Sequence, residues 1–212
     1  MIKGEAQNRA ATTYNAASDT YDSPANTFWA KFGRRTVERL NLKPGERVLD
    51  VCSGSGASAI PAAEAVGPKG SVTGVDLSEK LMELARGKAK AEGLRNIEFK
   101  SGDMLELPFA DAQFDAVVCV FGVFFVPDMP VAVRSLWRVV RPGGRLAITT
   151  WGPRFFQPAT GAFWNAVRAE RQGPLQGGEA VAEAGEHPIP DPEASGIKAV
   201  EANVVYALAR KP

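Results

Sequence analysis

The sequence predicts a three-layer α/β sandwich with a mostly parallel, seven-stranded sheet and an antiparallel last strand. Two observations carry this. Short apolar runs alternate with helical segments between residues 47 and 150, the pattern of βαβ units. Several of those runs are apolar throughout, as in FDAVVCVF at 114–121, which marks strands buried on both faces of a sheet.

The elements follow in order. Residues 1–22 are polar and helix-permissive, with Tyr14 and Tyr21 as their bulky groups. Residues 25–40 read as a helix, with Phe28, Trp29, Phe32, Val37 and Leu40 at roughly helical spacing. We take residues 1–40 together as a helical cap segment, and residues 41–212 as the main domain. Pro44-Gly45 marks a turn into a first strand, 47–51. A Gly/Ser loop then becomes helical toward Val66, and Gly67-Pro68 and Gly70 break it before a second strand, 71–75. Ser78 suits the N-cap of a helix reaching Ala91, with Leu81, Leu84, Ala85 and Ala89 on its buried face. Residues 96–100 and 114–121 supply two more strands, and 129–140 a helix stopped by Pro142-Gly143-Gly144. A fifth strand covers 145–150, a helix 158–171, and two last strands 179–186 and 200–209.

Composition narrows the function. At 212 residues and 45% hydrophobic, the chain suits one α/β domain with a core of ordinary size. The formal net charge is +1 and no basic run is longer than a pair, as at Arg34-Arg35, so no nucleic-acid partner is expected. Two cysteines, Cys52 and Cys119, form no CxxC pair, and a single histidine, His187, excludes a histidine-rich metal site. No metal is expected. The N-terminus lacks the apolar core of a signal peptide, and no apolar run approaches the ~20 residues of a membrane span. The expectation is a cytoplasmic protein without a membrane span, monomeric or homodimeric.

In open parallel sheets ligands bind at the carboxyl ends of the strands, so the residues after each strand matter most. Asp50-Val51-Cys52-Ser53-Gly54-Ser55-Gly56 follows the first strand, and its glycines permit a tight turn and close approach of a ligand. Asp76 ends the second strand, where a carboxylate can accept two hydrogen bonds from a ribose diol. Gly102-Asp103-Met104 follows the third and offers a polar and an apolar group to frame an adenine. The fourth ends in Val120-Phe121-Gly122-Val123-Phe124-Phe125, an apolar and aromatic lining. Taken singly, each has a plainer reading: the Gly/Ser loop as a turn, Asp76 as a helix cap. Residues 54–59 even read GxGxxA, close to the fingerprint of dinucleotide-binding loops. Asp50 separates the cofactors, because a carboxylate just before the loop repels a diphosphate and suits an ammonium group, directly or through water.

VLDVCSGSG resembles the first motif of class I S-adenosylmethionine-dependent methyltransferases, and GVDLSEKLMELA the second. GDMLELPFADAQFDAVVCVFGVFFVPD is similar to their third and fourth, and LWRVVRPGGRLAIT to their Gly-Gly turn and fifth strand. The resemblance runs over about residues 45–151 and is closest to the ubiquinone/menaquinone C-methyltransferase-like group, with its Rossmann-like fold. It implies a small-molecule methyltransferase with S-adenosyl-L-methionine as cofactor and S-adenosyl-L-homocysteine as product. By resemblance Asp50, Cys52, Gly54 and Gly56 surround the methionine part, and Asp76 binds the ribose hydroxyls. Leu77, Gly102, Asp103 and Met104 surround the adenine, and Val120 and Phe121 lie under the methyl-donor end. In such families the N-terminal segment folds over the cofactor, which makes residues 1–40 a lid with Tyr14, Tyr21, Phe28 and Trp29 as candidates, Tyr21 and Trp29 at the cofactor itself; against such families the C-terminal region of 41–212 is shortened.

Methyl transfer from a sulfonium is an in-line displacement, which needs alignment and exclusion of water more than a base. No residue stands out as catalytic. His187, in GEHPIPDP, reads as a loop histidine or as the one imidazole available to the pocket, and Tyr21 is the other candidate. Asp128 reads as a helix N-cap, and the two cysteines as inert small hydrophobes. The acceptor is expected to be a small apolar or aromatic molecule. Two alternatives stay open: a cofactor-binding protein or trimmed scaffold without turnover, and an NAD-type oxidoreductase.

Overall fold

The computed structural model describes residues 5–24, 26–157 and 201–212. They fall into a main unit, which runs to Thr150 and resumes at Tyr206, and a second unit within Trp151–Val205. Of the second unit, the end of one strand and the start of another are described.

The main unit opens with α1 (Glu5–Ala16), α2 (Ser18–Tyr21) and α3 (Phe28–Leu40). Then come β1 (Arg47–Val51), α4 (Ala59–Val66), β2 (Ser71–Asp76), α5 (Glu79–Ala91), β3 (Ile97–Ser101) and β4 (Phe114–Val120). A single 3-10 turn, Val123–Phe125, leads to α6 (Met129–Val139), β5 (Val140–Gln157) and β6 (Glu201–Arg210). The sheet order is β3-β2-β1-β4-β5-β6. The β1–β2, β1–β4, β2–β3 and β4–β5 pairs are all parallel, and the last strand is antiparallel. The chain reverses its direction of travel across the sheet between β1 and β4, so their carboxyl ends flank the crevice where such sheets bind ligands.

Alternation along the strands builds two cores. Val48 of β1, Val72 of β2 and Ala116 and Val118 of β4 pack with Val37 and Leu40 of α3, Ala62 and Val66 of α4, and Met82 and Ala85 of α5. Leu49 and Val51 of β1 and Val117 and Cys119 of β4 point the other way and meet Ala132, Leu136 and Val139 of α6. Three layers result, with the sheet in the middle. α3 joins through a stripe of Phe32, Gly33, Thr36, Val37 and Leu40, and ends at Asn41 in the left-handed conformation (φ 48°). A Cβ on Gly33 would stand 2.3 Å from the Ala57 carbonyl oxygen, so the helix can lie against the loop after β1 only where a side chain is missing.

The helix caps match the sequence reading. Ser78 Oγ accepts from Leu81 N–H at 3.3 Å at the start of α5, and Asp128 Oδ1 accepts from Val131 N–H at 3.0 Å at the start of α6. Two readings need correction. The fifth strand is longer than 145–150 and begins at Val140, directly where α6 ends. Pro142-Gly143-Gly144 stops the helix as expected, but it lies inside the strand as an irregularity, with Phe114 opposite Val140 and then Ala116 opposite Arg145. Gly143 N–H donates to Lys211 O at 2.9 Å and Lys211 N–H to Gly144 O at 2.9 Å, which gives the glycines strand partners. The second correction is the strand count: the sheet has six strands among the described residues, not seven. The strand read at 179–186 and the helix at 158–171 lie outside the described residues.

Gly33→Ala is expected to lower stability by at least about 1–3 kcal/mol, the range for overpacking a tight contact, since the obstacle is backbone. Chemical denaturation of the two proteins checks this; an unchanged midpoint would mean that α3 does not rest on the loop as described.

Candidate functional site

The Asp76 carboxylate organises the site. Its Oδ2 accepts from Gly54 N–H at 2.8 Å and its Oδ1 from Ser78 N–H at 2.8 Å. One side chain thus joins the glycine loop after β1 to the turn that starts α5. Burial pushes its pKa up, and the N–H groups of Ser78, Gly54 and Leu77 oppose that rise. A carboxylate oxygen can accept more than one hydrogen bond, so both oxygens keep acceptor capacity.

A cavity of about 90 Å³ opens beside Asp76 at the strand ends. Cys52 and Gly54 line it after β1, Asp76 and Leu77 after β2, Gly102, Asp103 and Met104 after β3, and Val120 and Phe121 after β4. Tyr21 and Trp29 close it from the N-terminal segment. Eleven of the thirteen residues expected at the cofactor therefore meet around one cavity. The other two do not line it. Asp50 is fully buried behind the loop, where its Oδ2 accepts from Ser58 Oγ at 2.8 Å. Its Oδ1 has no hydrogen-bond partner among the described residues, and neither has Ser53 Oγ. Gly56, at φ +86°, turns the chain into α4, and a Cβ there would press on Ile60 at 3.0 Å.

The N-terminal rings form a connected wall. Tyr21 stacks on Trp29 at 5.7 Å with an interplanar angle of 1°, and Tyr14 meets Tyr21 edge-on at 6.0 Å and Phe125 at 5.5 Å. Phe121 sits among Phe28, Trp29 and Phe32, with centroids at 5.3, 5.5 and 5.8 Å. Phe121 (φ 53°) and Cys52 (φ 61°) both take the left-handed conformation. Such backbone costs on the order of 1–3 kcal/mol per residue and concentrates at functional sites. Here it turns two adjacent strand ends into the cavity.

The electrostatics are those of a neutral-to-acidic site. No lysine, arginine or histidine is among the described lining residues. Burial, followed by the nearby charge of Asp76, pushes the Tyr14 phenol to about 12. Burial also raises Tyr21, reinforced by Tyr14, Asp76 and Asp22. Both stay neutral near pH 7, so Tyr21 is no general base there. A hydrogen bond with the Cys119 thiol, then burial, raises Cys52, which keeps it a protonated, unreactive thiol. His187 lies outside the described residues. Ala10, Ala11, Val51, Ser78, Leu81 and Val126 also line the cavity and carry no chemical signal in the sequence. The spacing of Ala10, Ala11 and Tyr14 does place them on one face of α1, which is the legible clue.

Burial raises Asp50 to about 7, partly opposed by Ser58 Oγ and Ala59 N–H, with Asp76 adding to the rise. Between its ordinary 3.8 and about 7, the folded protein holds this proton more tightly than the unfolded chain. The contribution of Asp50 to stability is therefore greatest below about pH 4, falls as the pH rises to about 7, and is level above. Asp50→Asn, which keeps an acceptor for Ser58, is expected to remove most of that fall, on the order of 4 kcal/mol. Denaturation of both proteins across this range measures it; parallel curves would contradict the burial of an ionising Asp50.

The geometry agrees with comparisons to known proteins. A demethylmenaquinone methyltransferase of Listeria welshimeri is 42% identical over 117 residues, which cover 55% of this chain and 50% of the relative. One from Geobacillus kaustophilus is 40% identical over 127 residues, 59% of this chain and 54% of the relative. The chain spans about half the length of these curated relatives. Among solved structures, a SAM-dependent methyltransferase from Aquifex aeolicus superposes with a TM-score of 0.57 at 26% identity, covering 65% of this chain and 72% of that one. The model of the ubiE/COQ5 methyltransferase family matches residues 5–163, a span that holds the N-terminal helices, the glycine loop, Asp76 and the fourth strand, and the chain belongs to that family.

Proposed function

We propose that this chain binds S-adenosylmethionine at the strand ends and transfers its methyl group to a small apolar or aromatic molecule. The observation that carries the reading is Asp76, an acceptor held by two backbone N–H groups at the end of β2, in a cavity whose described lining has no cation. A nucleoside diol would complete the acceptor capacity of that carboxylate. A diphosphate would meet Asp76 and the buried Asp50 without a compensating charge, which disfavours a dinucleotide. The buried, half-partnered Asp50 suits a ligand with a positive charge on the far side of the loop, with its effect passing through the loop rather than by contact.

When bound, the cofactor supplies a methyl carbon already activated by a sulfonium. The residues of this chain then have three tasks. Asp76, Asp103 and the glycine loop fix the nucleoside. Leu77, Met104 and Leu81 give it apolar walls. The ring cluster of Tyr14, Tyr21, Trp29 and Phe121 excludes water and favours an apolar or aromatic acceptor. Both tyrosines stay neutral, so neither is the base that takes a proton from the acceptor. The relatives named for demethylmenaquinone make that compound the first acceptor to try. Residues 1–40 act as the lid of a main domain at 41–212.

Among the described residues no helix is long and apolar enough to cross a membrane. We read the protein as cytoplasmic, in keeping with two free cysteines, and as working alone or as a homodimer.

Calorimetric titration with S-adenosylmethionine, S-adenosylhomocysteine and NAD tests the reading. Both adenosyl ligands are expected to bind and NAD is not, and Asp76→Ala is expected to weaken them by about tenfold or more, as the loss of charged hydrogen bonds to a diol implies. Binding of NAD alone, or of none of the three, would overturn it.

A further inference from the structure

We infer that Asn15 and Asp22 are positioning residues that latch the N-terminal lid across the cofactor cavity, and that release of this latch sets the rate of cofactor exchange. The inference rests on the cofactor-site reading above.

α1 and α2 are too short to persist as helices unaided: 12 and 4 residues, against the roughly 12–15 at which isolated helices become even marginal. They nevertheless deliver Ala10, Ala11, Tyr14 and Tyr21 to the cavity wall. Ring contacts hold them in part. Among the described residues, polar contacts at two points tie them to the loops at the strand ends. Asn15 Oδ1 accepts from Ser78 Oγ at 2.8 Å and from Lys80 N–H at 3.2 Å. The lid thereby satisfies one of the N–H groups that α5 leaves free at its first turn. Asp22 Oδ1 accepts from Ser55 Oγ at 2.8 Å, and its Oδ2 pairs with Lys88 Nζ at 2.9 Å. The first point grips the turn just after Asp76. The second grips the glycine loop just after Gly54.

Neither Asn15 nor Asp22 lines the cavity, so whatever they do to a ligand acts through the lid. The cavity itself shows why the lid must move. Its volume of about 90 Å³ is well below the roughly 300 Å³ at which small-molecule pockets begin, and Tyr14 and Tyr21 line it from the N-terminal segment. A nucleoside-sized ligand can enter or leave only when those two rings swing out, and they cannot do so while Asn15 and Asp22 hold their loops. Because the Asp22–Lys88 pair is more than a third exposed, its charge contributes little, and the acceptor for Ser55 is the effective part.

Two measurements on the whole chain test this. Amide hydrogen exchange of the ligand-free protein reads the lid directly. Release of radiolabelled S-adenosylhomocysteine into excess unlabelled ligand reads the gate. Asn15→Ala with Asp22→Ala is expected to speed exchange across residues 8–22 and to speed release by about tenfold, without slowing entry of the ligand. Asn15→Asp and Asp22→Asn keep the acceptors and are expected to behave like the parent, which separates the latch from a general loss of fold. The proposal is overturned if the double alanine variant leaves lid exchange and ligand release unchanged, or if the conservative variants are as disturbed as the alanines. If the parent binds no adenosyl ligand, the cofactor reading falls and the gating claim with it, while lid exchange still reports whether these two residues hold α1 and α2.

Discussion

One carboxylate ties the site together. β1 and β2 run side by side, and the loops that leave their carboxyl ends have no covalent reason to keep a fixed distance. The Asp76 carboxylate supplies one by accepting from Gly54 N–H in the first loop and from Ser78 N–H in the second. Ser78 then caps α5 through Leu81 N–H and donates its hydroxyl to Asn15, which carries the constraint outward to α1. The same chain of contacts thus sets the shape of the cavity floor, the start of a core helix and the seat of the N-terminal segment. The floor of a site positioned this way sits on rigid elements.

The electrostatic character of the cavity follows from burial. Its described lining carries carboxylates and no cation, and two phenols held neutral stand over it. Behind the loop lies Asp50, wholly buried and, among the described residues, only half satisfied. An unpartnered carboxylate oxygen in that position is costly in a protein without a reason for it. Such an arrangement favours a ligand of positive or neutral charge over a phosphate-bearing one. The chain carries this arrangement as a member of the ubiE/COQ5 methyltransferase family.

Much of this was legible in the sequence, for physical reasons. Strands buried on both faces must be apolar throughout, so 47–51, 71–75 and 114–121 announced a parallel sheet, and ligand-binding residues in such sheets must follow strand ends. Gly54, Asp76, Asp103 and Phe121 could therefore be placed before any coordinates. What the sequence hid were matters of distance. Asp50 is two residues from the cavity-lining Cys52, yet strand alternation turns it to the α3–α4–α5 face, away from the ligand. The Gly-Gly turn after α6 looked like a break before β5, and only the partners offered by Lys211 make it part of the strand. Asn15 and Asp22 are unremarkable polar residues on short helices, and their roles depend on contacts across 63 and 33 positions of chain.

The central claim is that Asp76 both builds the cavity and receives the nucleoside. A crystal structure of the complex with S-adenosylhomocysteine measures this most directly. The account predicts both ribose hydroxyls on the Asp76 carboxylate, with the adenine between Leu77 and Met104 and the hydrogen bonds from Gly54 and Ser78 intact. A ligand bound with its ribose elsewhere, or an Asp76 carboxylate that lets go of both loops to reach it, would contradict the account.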